Sequence, residues 1–130
     1  MNAIRKIRVL INPKSGVIWS FGAMQTAFER YWCDEHIDVT YQFSRSPDDG
    51  KAKAQRAIAD GVDSIIVVGG DGMVNTIGSA LIHTSVALGV VPTGSGNGFA
   101  RHFGIPLQPE QAVKALQCAE KQRIDVGRVN

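Results

Sequence analysis

The sequence predicts an α/β fold, in which a mostly parallel sheet has helices on both faces, a three-layer Rossmann-like arrangement. Two observations predict it. First, short apolar runs alternate with longer stretches whose apolar residues recur every three or four positions, the alternation of strands and helices typical of βαβ units. Second, residues 64–68 (SIIVV) hold four consecutive branched aliphatic side chains. Such a run predicts a strand buried on both faces in the interior of a parallel sheet.

The first half of the chain contains two predicted strands and two predicted helices. Asn12-Pro13 closes the first apolar run, and apolar side chains from Met24 to Trp32 repeat at helical spacing. Gly61 is placed to follow the second helix as a C-cap residue. The predicted elements are a strand at 7–11, a helix at 20–34, a strand at 37–43 and a helix from the turn at 46–49 to residue 61.

The second half continues the alternation. The helix after the GGDG turn is predicted to place Val74, Ile77, Leu81 and Ile82 on its inner face. The predicted elements are a strand at 64–68, this helix, a strand at 86–91, a short helix at 99–105, a helix opened by residues 108–110 and a last strand at 123–129. The chain stops directly after that strand, so we expect it to be the edge of a larger protein.

Composition limits the function classes. The chain has 130 residues, enough for one domain with a core, and its formal net charge is +2 with the 14 basic residues scattered. That charge gives no reason to expect a nucleic-acid partner. Cys33 and Cys118 lie too far apart for a metal motif, and no apolar run approaches a membrane span or a signal peptide. A cytoplasmic protein is expected.

Three loops rich in small residues each follow a predicted strand: NPKSG at 12–16, GGDG at 69–72 and PTGSGNG at 92–98. Parallel strands end at the same edge of a sheet, where α/β domains bind ligands. Free backbone amides and helix N-termini at that edge suit a polyphosphate. Each loop alone is also explained as a turn, with Asp71, or Ser95 and Asn97, capping the helices that follow. The pattern matches neither a Walker A loop nor a dinucleotide fingerprint.

NPKSG at 12–16, GGDGMVN at 69–75 and PTGSGNGFAR at 92–101 resemble the three hallmark loops of the diacylglycerol kinase catalytic domain family, which includes sphingosine, ceramide and bacterial lipid kinases. RIDVGRVN at 123–130 resembles the strand that ends the family's first domain. NAD kinases and 6-phosphofructokinases share only the GGDG turn. The resemblance implies that residues 1–130 are the N-terminal ATP-binding domain of a lipid kinase, and that the family's β-rich lipid-binding domain is absent from this chain.

The resemblance also implies roles for single residues. Asp71 is the implied catalytic carboxylate, as a general base on the lipid hydroxyl or as a ligand of Mg²⁺, and both roles stay open. Arg101 is placed to reach either a phosphate or solvent. The implied ATP-lining residues are Asn12, Ser15, Gly16, Ser44, Gly69, Gly70, Gly72, Asn75, Gly94, Ser95 and Asn97.

Two departures from the family pattern keep alternatives open. Met73 replaces a hydroxyl side chain, and Thr76 stands where many members have Glu. The alternatives are a kinase of a soluble substrate such as NAD and a non-catalytic nucleotide-binding regulatory module. The expected partners are a nucleotide and a lipid, and peripheral association with a membrane and a homodimer are left open. Trp19 and Phe21 are expected to staple the first helix to the sheet, although contact with a lipid or membrane is the alternative.

Overall fold

The computed structural model describes residues 5–32 and 35–118, except for the side chains of Val17 and Cys118. Every element predicted within these ranges is present, while the strand predicted at 123–129 and Cys33 lie outside them. The elements are β1 (Arg5–Ile11), a short 3-10 helix (Pro13–Val17), α1 (Phe21–Tyr31), β2 (Ile37–Phe43), α2 (Pro47–Ala59), β3 (Ser64–Gly69), α3 (Asp71–Ala80), β4 (Ala87–Pro92), α4 (Gly98–His102) and α5 (Pro109–Cys118).

Helix ends differ from the sequence prediction at a few positions. α1 begins one residue later than predicted because Ser20 is its N-cap, with its hydroxyl accepting from the backbone N–H of Ala23 at 3.1 Å. α3 ends at Ala80, so Leu81 is its C-cap and Ile82 lies outside the helix, 40% exposed. The prediction that Ile82 is on the inner face is therefore wrong. Gly61 follows the C-cap of α2 with φ 79°, as predicted.

The described strands form one parallel sheet in the order β2-β1-β3-β4. Alternate residues of β1 point to opposite faces, so Val9 packs against one helix layer and Leu10 against the other. α1 and α5 cover the first face through Met24, Ala27, Phe28, Ala112 and Val113. α2 and α3 cover the second face through Ala54, Ala57, Val74 and Ile77. This three-layer architecture confirms the predicted fold class.

The strand order creates a switch point between β1 and β3. β1 continues into α1 on the first face, whereas its neighbour β3 continues into α3 on the second face. The two segments of the chain therefore diverge at the carboxyl edge of the sheet, which is where open α/β sheets bind ligands. Among the described residues, no helix is both long and apolar enough to cross a bilayer.

Candidate functional site

The three loops predicted to lie at one edge do meet there. The backbone N–H of Asn12 donates to Val68 O at 2.9 Å, which ties the first loop to the end of β3. The hydroxyls of Ser15 and Thr93 are 2.6 Å apart, and Ser15 Oγ also donates to Val68 O at 3.3 Å. Ser15 and Thr93 are both buried, so this bond is shielded from water. It joins the first loop to the third across the end of β3.

Thr93 is the site residue that sequence reasoning did not single out. It lies inside PTGSGNG, where a polar residue is ordinary for a turn. Its position in the sequence could have indicated its burial, because it directly follows a strand whose last four residues are buried. A hydroxyl buried at a strand end needs a hydrogen-bond partner, and Ser15 provides it.

Gly70 and Gly94 bring the second and third loops into backbone contact. A Cβ added to Gly94 would lie 2.6 Å from Gly70 Cα, and a Cβ added to Gly70 would lie 3.1 Å from Gly94 Cα. Both distances are shorter than ordinary van der Waals contact, so a side chain at Gly94 would force the two loops apart, and one at Gly70 would require a smaller shift. The role of these two glycines in the free protein is therefore loop packing.

The other glycines of the predicted site fall into two kinds. A Cβ on Gly69 would lie 2.9 Å from Met73 Sδ and 3.5 Å from Asn12 Cβ, so Gly69 makes room for the Met73 side chain. Gly16 and Gly72 are exposed, and a Cβ on either would meet nothing within 4 Å. The backbone at each of these two glycines is therefore accessible from solvent.

Asp71 caps a helix, but not the one that it begins. It is the first residue of α3, whose N-cap is Gly70 without a side-chain cap. Its Oδ2 accepts from the backbone N–H of Gly98 at 2.9 Å, and its Oδ1 accepts from that of Phe99 at 3.2 Å. The carboxylate therefore satisfies free amides at the start of α4 and fastens the third loop to the second.

These two bonds also stabilise the charged form of Asp71. The backbone amides of Gly98 and then Phe99 stabilise the carboxylate, and they lower its pKa below the usual aspartate value. Asp71 is therefore ionised at neutral pH. It is exposed, and each oxygen keeps lone pairs that the two amides do not use.

Asn97 shapes the third loop. It has φ 53°, and its side chain both accepts from Gly94 N at 3.0 Å and donates to Gly94 O at 2.9 Å. Asn97 is the N-cap residue of α4, as the alternative predicted, but its side chain makes no capping hydrogen bond to that helix. Arg101 Nε donates to Gly96 O at 2.9 Å, which occupies part of its guanidinium within the loop.

The remaining predicted residues are distributed around this edge. Asn12 accepts from Lys14 N at 3.0 Å through its side chain and so holds the turn of the first loop. Ser44 is buried, and its hydroxyl donates to Ser46 O at 3.1 Å. A Cβ on Gly50 would lie 2.5 Å from that hydroxyl, so Ser44 packs tightly on α2. Asn75 and Ser95 are exposed.

The three loops offer one carboxylate as a ligand for a magnesium ion. Within the described part of the chain, no group of three His, Cys, Asp or Glu side chains is arranged to hold a metal, and Asp71 is the acidic residue of the three loops. Mg²⁺ at nucleotide sites commonly takes one or two carboxylates together with phosphate oxygens and water. Asp71 fits that pattern. Thr76 supplies a hydroxyl and no second carboxylate, and that hydroxyl donates to Gly72 O at 3.0 Å within α3.

A doubly wound parallel sheet with small-residue loops at its switch point is typical of α/β domains that bind phosphorylated ligands. Residues 6–129 match the profile of a family described as the diacylglycerol kinase catalytic domain. The chain belongs to this family, which confirms the resemblance seen in the three loops.

Similar proteins carry related names. The chain is 33% identical to a diacylglycerol kinase of Mycobacterium tuberculosis (strain ATCC 25618 / H37Rv) over 97% of its own length and 41% of the relative's. It is 33% identical to a protein of Klebsiella pneumoniae (strain 342) named "Probable lipid kinase YegS-like", over 75% of this chain and 33% of that one. A crystal structure of a diacylglycerol kinase from Bacillus anthracis str. Sterne superposes with a TM-score of 0.69 at 27% identity, covering 87% of this chain and 42% of that one. The chain thus spans about two fifths of the first relative's length.

Proposed function

We propose that this chain is the nucleotide-binding domain of an ATP-dependent lipid kinase, which transfers the γ-phosphoryl group of ATP to a hydroxyl of a diacylglycerol- or sphingoid-type lipid. The observation that carries the proposal is the open space above Gly16 and Gly72, at the switch point and beside the ionised Asp71. The names of the relatives support a lipid as the acceptor. A second, β-rich domain would hold that lipid.

The phosphates would lie over the first turn of α3. The N-terminus of this 10-residue helix presents free backbone amides and the positive end of its dipole. Gly72 has no side chain to obstruct the approach of an anion. Asn75 and Ser95 are exposed, one on α3 and one in the third loop, and supply neutral hydrogen-bond donors. Together these groups would orient a polyphosphate without the lysine of a Walker A loop.

Asp71 would hold a Mg²⁺ ion bound together with the nucleotide, and such an ion would supply charge neutralisation at the phosphates. The lowered pKa of Asp71 favours this role over general base catalysis, since a weakly basic carboxylate takes a proton from a hydroxyl poorly. Phosphoryl transfer depends mainly on positioning and charge neutralisation, which an ionised carboxylate provides. The two amides that Asp71 accepts from would keep it in one orientation.

Two alternative functions remain to be separated from this one. A kinase of a soluble substrate such as NAD would share the nucleotide site and differ in its acceptor. A regulatory module would bind nucleotide without transfer, and Thr76, bonded within its own helix where many family members have Glu, is the feature in its favour. Labelled ATP offered with diacylglycerol, sphingosine or NAD, using a protein that includes any further domain, distinguishes the three outcomes.

The nucleotide site is tested first by calorimetric titration with Mg·ATP and Mg·ADP. Gly72→Val fills the open space without meeting protein atoms, so we expect affinity to fall by about tenfold or more, that is, by at least about 1.4 kcal/mol. The matched control is Gly22→Val, because Gly22 is also the second residue of a helix and a Cβ there also meets nothing within 4 Å. Equal affinity for both variants and the wild type would contradict the proposed phosphate position.

A further inference from the structure

β2 lies at one end of the sheet that the described residues form, and it pairs there with β1 alone. We call the side of β2 that faces away from β1 the β2 edge. An open strand edge is a template for another strand, and proteins commonly protect such an edge with lysine, proline or a bulge. Residues 37–43 (IDVTYQF) contain neither lysine nor proline, and their register with β1 is unbroken. The β2 edge therefore has none of these protections.

The backbone groups along the β2 edge belong to its odd-numbered residues. Beyond one end of β2, Ser44 N donates to Ile11 O at 2.8 Å. Beyond the other end, His36 O accepts from Arg5 N at 2.7 Å. Even-numbered residues therefore bond to β1. Because alternate residues of a strand direct their N–H and C=O groups to opposite sides, those of the odd-numbered residues from 37 to 43 point outward.

The sequence of β2 is self-complementary about Thr40, its central residue. When a second copy of β2 runs antiparallel about a two-fold axis at this residue, Val39 lies opposite Tyr41 of the second copy. Ile37 then lies opposite Phe43. The outward backbone groups of each pair face each other, and pairs of an aliphatic side chain with an aromatic ring stabilise antiparallel strands. The pairing would also cover Phe43, which is 39% exposed.

The aromatic side chains of this face are already held in place. The Phe21 ring lies 5.4 Å from the Phe43 ring and 5.6 Å, edge to face, from the Tyr41 ring. Trp19 packs partly buried against the core. This packing agrees with the predicted staple of α1 to the sheet. Side chains that are fixed before association lose little conformational entropy on binding.

The polar face of β2 fits the same register. Asp38 lies opposite Gln42 of the second copy, and Thr40 lies opposite its own counterpart. Arg8 Nη1 donates to Gln42 Oε1 at 3.3 Å, and Arg8 Nε donates to Thr40 Oγ1 at 2.8 Å. The Gln42 amide group can then donate to Asp38 of the second copy, and one Thr40 hydroxyl can donate to the other.

The charged residues that flank β2 are also complementary. Glu35 and Arg45 are both exposed, and this register places them opposite each other. Asp48 and Asp49 lie beside Arg45 in the first turn of α2, and Asp49 accepts from Arg45 N at 2.9 Å and from Lys53 Nζ at 2.9 Å. Arg45 would therefore be shared between these carboxylates and Glu35 of the second copy, so the gain from each ion pair is modest.

Glu29 opposes the pairing. It lines the same groove between α1 and β2 as Tyr41. Burial, and then the charge of Glu29, raise the pKa of Tyr41. The two copies of Glu29 would lie on either side of the two-fold axis and repel each other. This repulsion lowers the affinity of the pair without favouring another register.

We propose that β2 pairs with β2 of a second copy, antiparallel about a two-fold axis at Thr40, and so joins two four-stranded sheets into one. Main-chain bonds would provide affinity, and the side-chain pairs would fix the register. A second copy is favoured over another extended partner because the apolar, polar and flanking charged residues all find complements in one register. The inference does not rest on the proposed function. The two candidate sites would lie at opposite ends of the joined sheet.

Sedimentation velocity over a range of concentrations measures the self-association. Val39→Pro removes an outward N–H that β1 does not use, and it should weaken the dimer about tenfold or more. Val39→Ala is the matched control for the lost side chain and should weaken the dimer only about threefold. Circular dichroism checks that both variants fold. Equal weakening by the two variants, or a monomeric wild type at every concentration, would overturn the proposal.

Disulfide trapping tests the register. In a Cys33→Ser/Cys118→Ser background, Thr40→Cys would place two cysteines opposite each other at about 4.5 Å between Cα atoms, within the range of a disulfide. Oxidised glutathione should therefore cross-link most of the dimer. The control is Asp38→Cys, whose counterpart would be about 13 Å away along the strand, so it should not cross-link. A dimer that Asp38→Cys traps as well as Thr40→Cys would overturn the register.

A charge exchange keeps the test independent of the proline and cysteine variants. Arg45→Glu should weaken the dimer about fivefold, and the double variant Glu35→Arg/Arg45→Glu should recover most of the affinity. The control is Lys114→Glu, on α5, which packs against β4 at the other end of the sheet, and it should leave the dimer unchanged. Recovery by the double variant would support the pairing. A double variant as weak as Arg45→Glu would contradict it.

Discussion

Gly70 and Gly94 differ from Gly16 and Gly72 in what surrounds them, although all four belong to the same three loops. A Cβ on Gly94 or Gly70 would lie 2.6 or 3.1 Å from the backbone of the facing loop, whereas a Cβ on Gly16 or Gly72 would meet nothing within 4 Å. The first pair is needed by the protein itself. The second pair is not, and under the proposed function the open space there would receive the nucleotide.

This difference shows that a glycine-rich motif combines two physical requirements. Loop packing disfavours a side chain at Gly70 and more strongly at Gly94, and it predicts a loss of stability on substitution. Gly16 and Gly72 have free space instead, and under the proposed function substitution there should weaken nucleotide binding without a loss of stability. Substitutions at the two kinds of position therefore separate folding from function.

Gly94→Ala should have the largest effect on stability. Its Cβ would lie 2.6 Å from Gly70 Cα, a backbone atom that cannot rotate away, so we expect a loss of about 3 kcal/mol in the free energy of unfolding. Gly70→Ala, with its Cβ at 3.1 Å, should lose about 1 kcal/mol. Urea denaturation followed by circular dichroism measures both. Unchanged stability of Gly94→Ala would show that the two loops are free to separate.

Ser15→Ala should cause the next largest loss of stability, since it leaves the buried Thr93 hydroxyl without its hydrogen-bond partner at 2.6 Å. We expect a loss of about 1–2 kcal/mol in the free energy of unfolding. The control is the double variant Ser15→Ala/Thr93→Val, in which both polar groups are removed. It should be less destabilised than the sum of the single variants, and strict additivity would argue against a direct bond.

Gly72→Ala should stabilise the protein, in contrast to Gly94→Ala and Ser15→Ala. Alanine is preferred to glycine within a helix and meets no protein atom here, so the free energy of unfolding should rise by about 0.5 kcal/mol. The matched variant Gly22→Ala, at the second position of α1, should give a similar gain. Calorimetric titration with Mg·ATP should then show weaker binding for Gly72→Ala only. Equal ATP affinity in the two variants would contradict the proposed role of Gly72 in nucleotide binding.

Asp71→Asn should change the pH dependence of stability. The pKa of Asp71 is lowered in the folded protein, so its contribution is complete above the usual aspartate pKa of about 3.9 and disappears as pH falls through the lowered value. The difference in unfolding free energy between wild type and Asp71→Asn should therefore be constant at neutral pH and shrink below about pH 4. Denaturation curves at a series of pH values measure it.

Asp49→Asn is the control for Asp71→Asn. The pKa of Asp49 is also lowered, first by the backbone N–H of Arg45 and then by Lys53, so its pH profile should have the same sign. It lies at the start of α2 and outside the three loops. Only Asp71→Asn is expected to weaken Mg·ATP binding. A pH-independent difference for Asp71→Asn would mean that the two amide bonds do not stabilise the carboxylate.

The order of strands and helices was predictable because hydrophobic periodicity is a local property of the chain. The meeting of the three loops was also predictable, since parallel strands end at one edge. Contacts between the loops were not, because they join residues far apart in sequence. Asp71 and Gly98 are 27 positions apart, and no local pattern distinguishes an aspartate that caps its own helix from one that caps another. The partner of Ser15 was unpredictable for the same reason.

The spacing of the residues at this edge has a consequence for the order of folding. The bond between Ser15 and Thr93 closes a segment of 78 positions, and forming it requires β1, β3 and β4 to be in register. Contacts of such long range form only after a large loss of chain entropy. We therefore expect a partly folded chain without β4 in place to have no affinity for a nucleotide. A nucleotide would then stabilise the completed sheet by mass action and slow its unfolding, and would not guide its assembly.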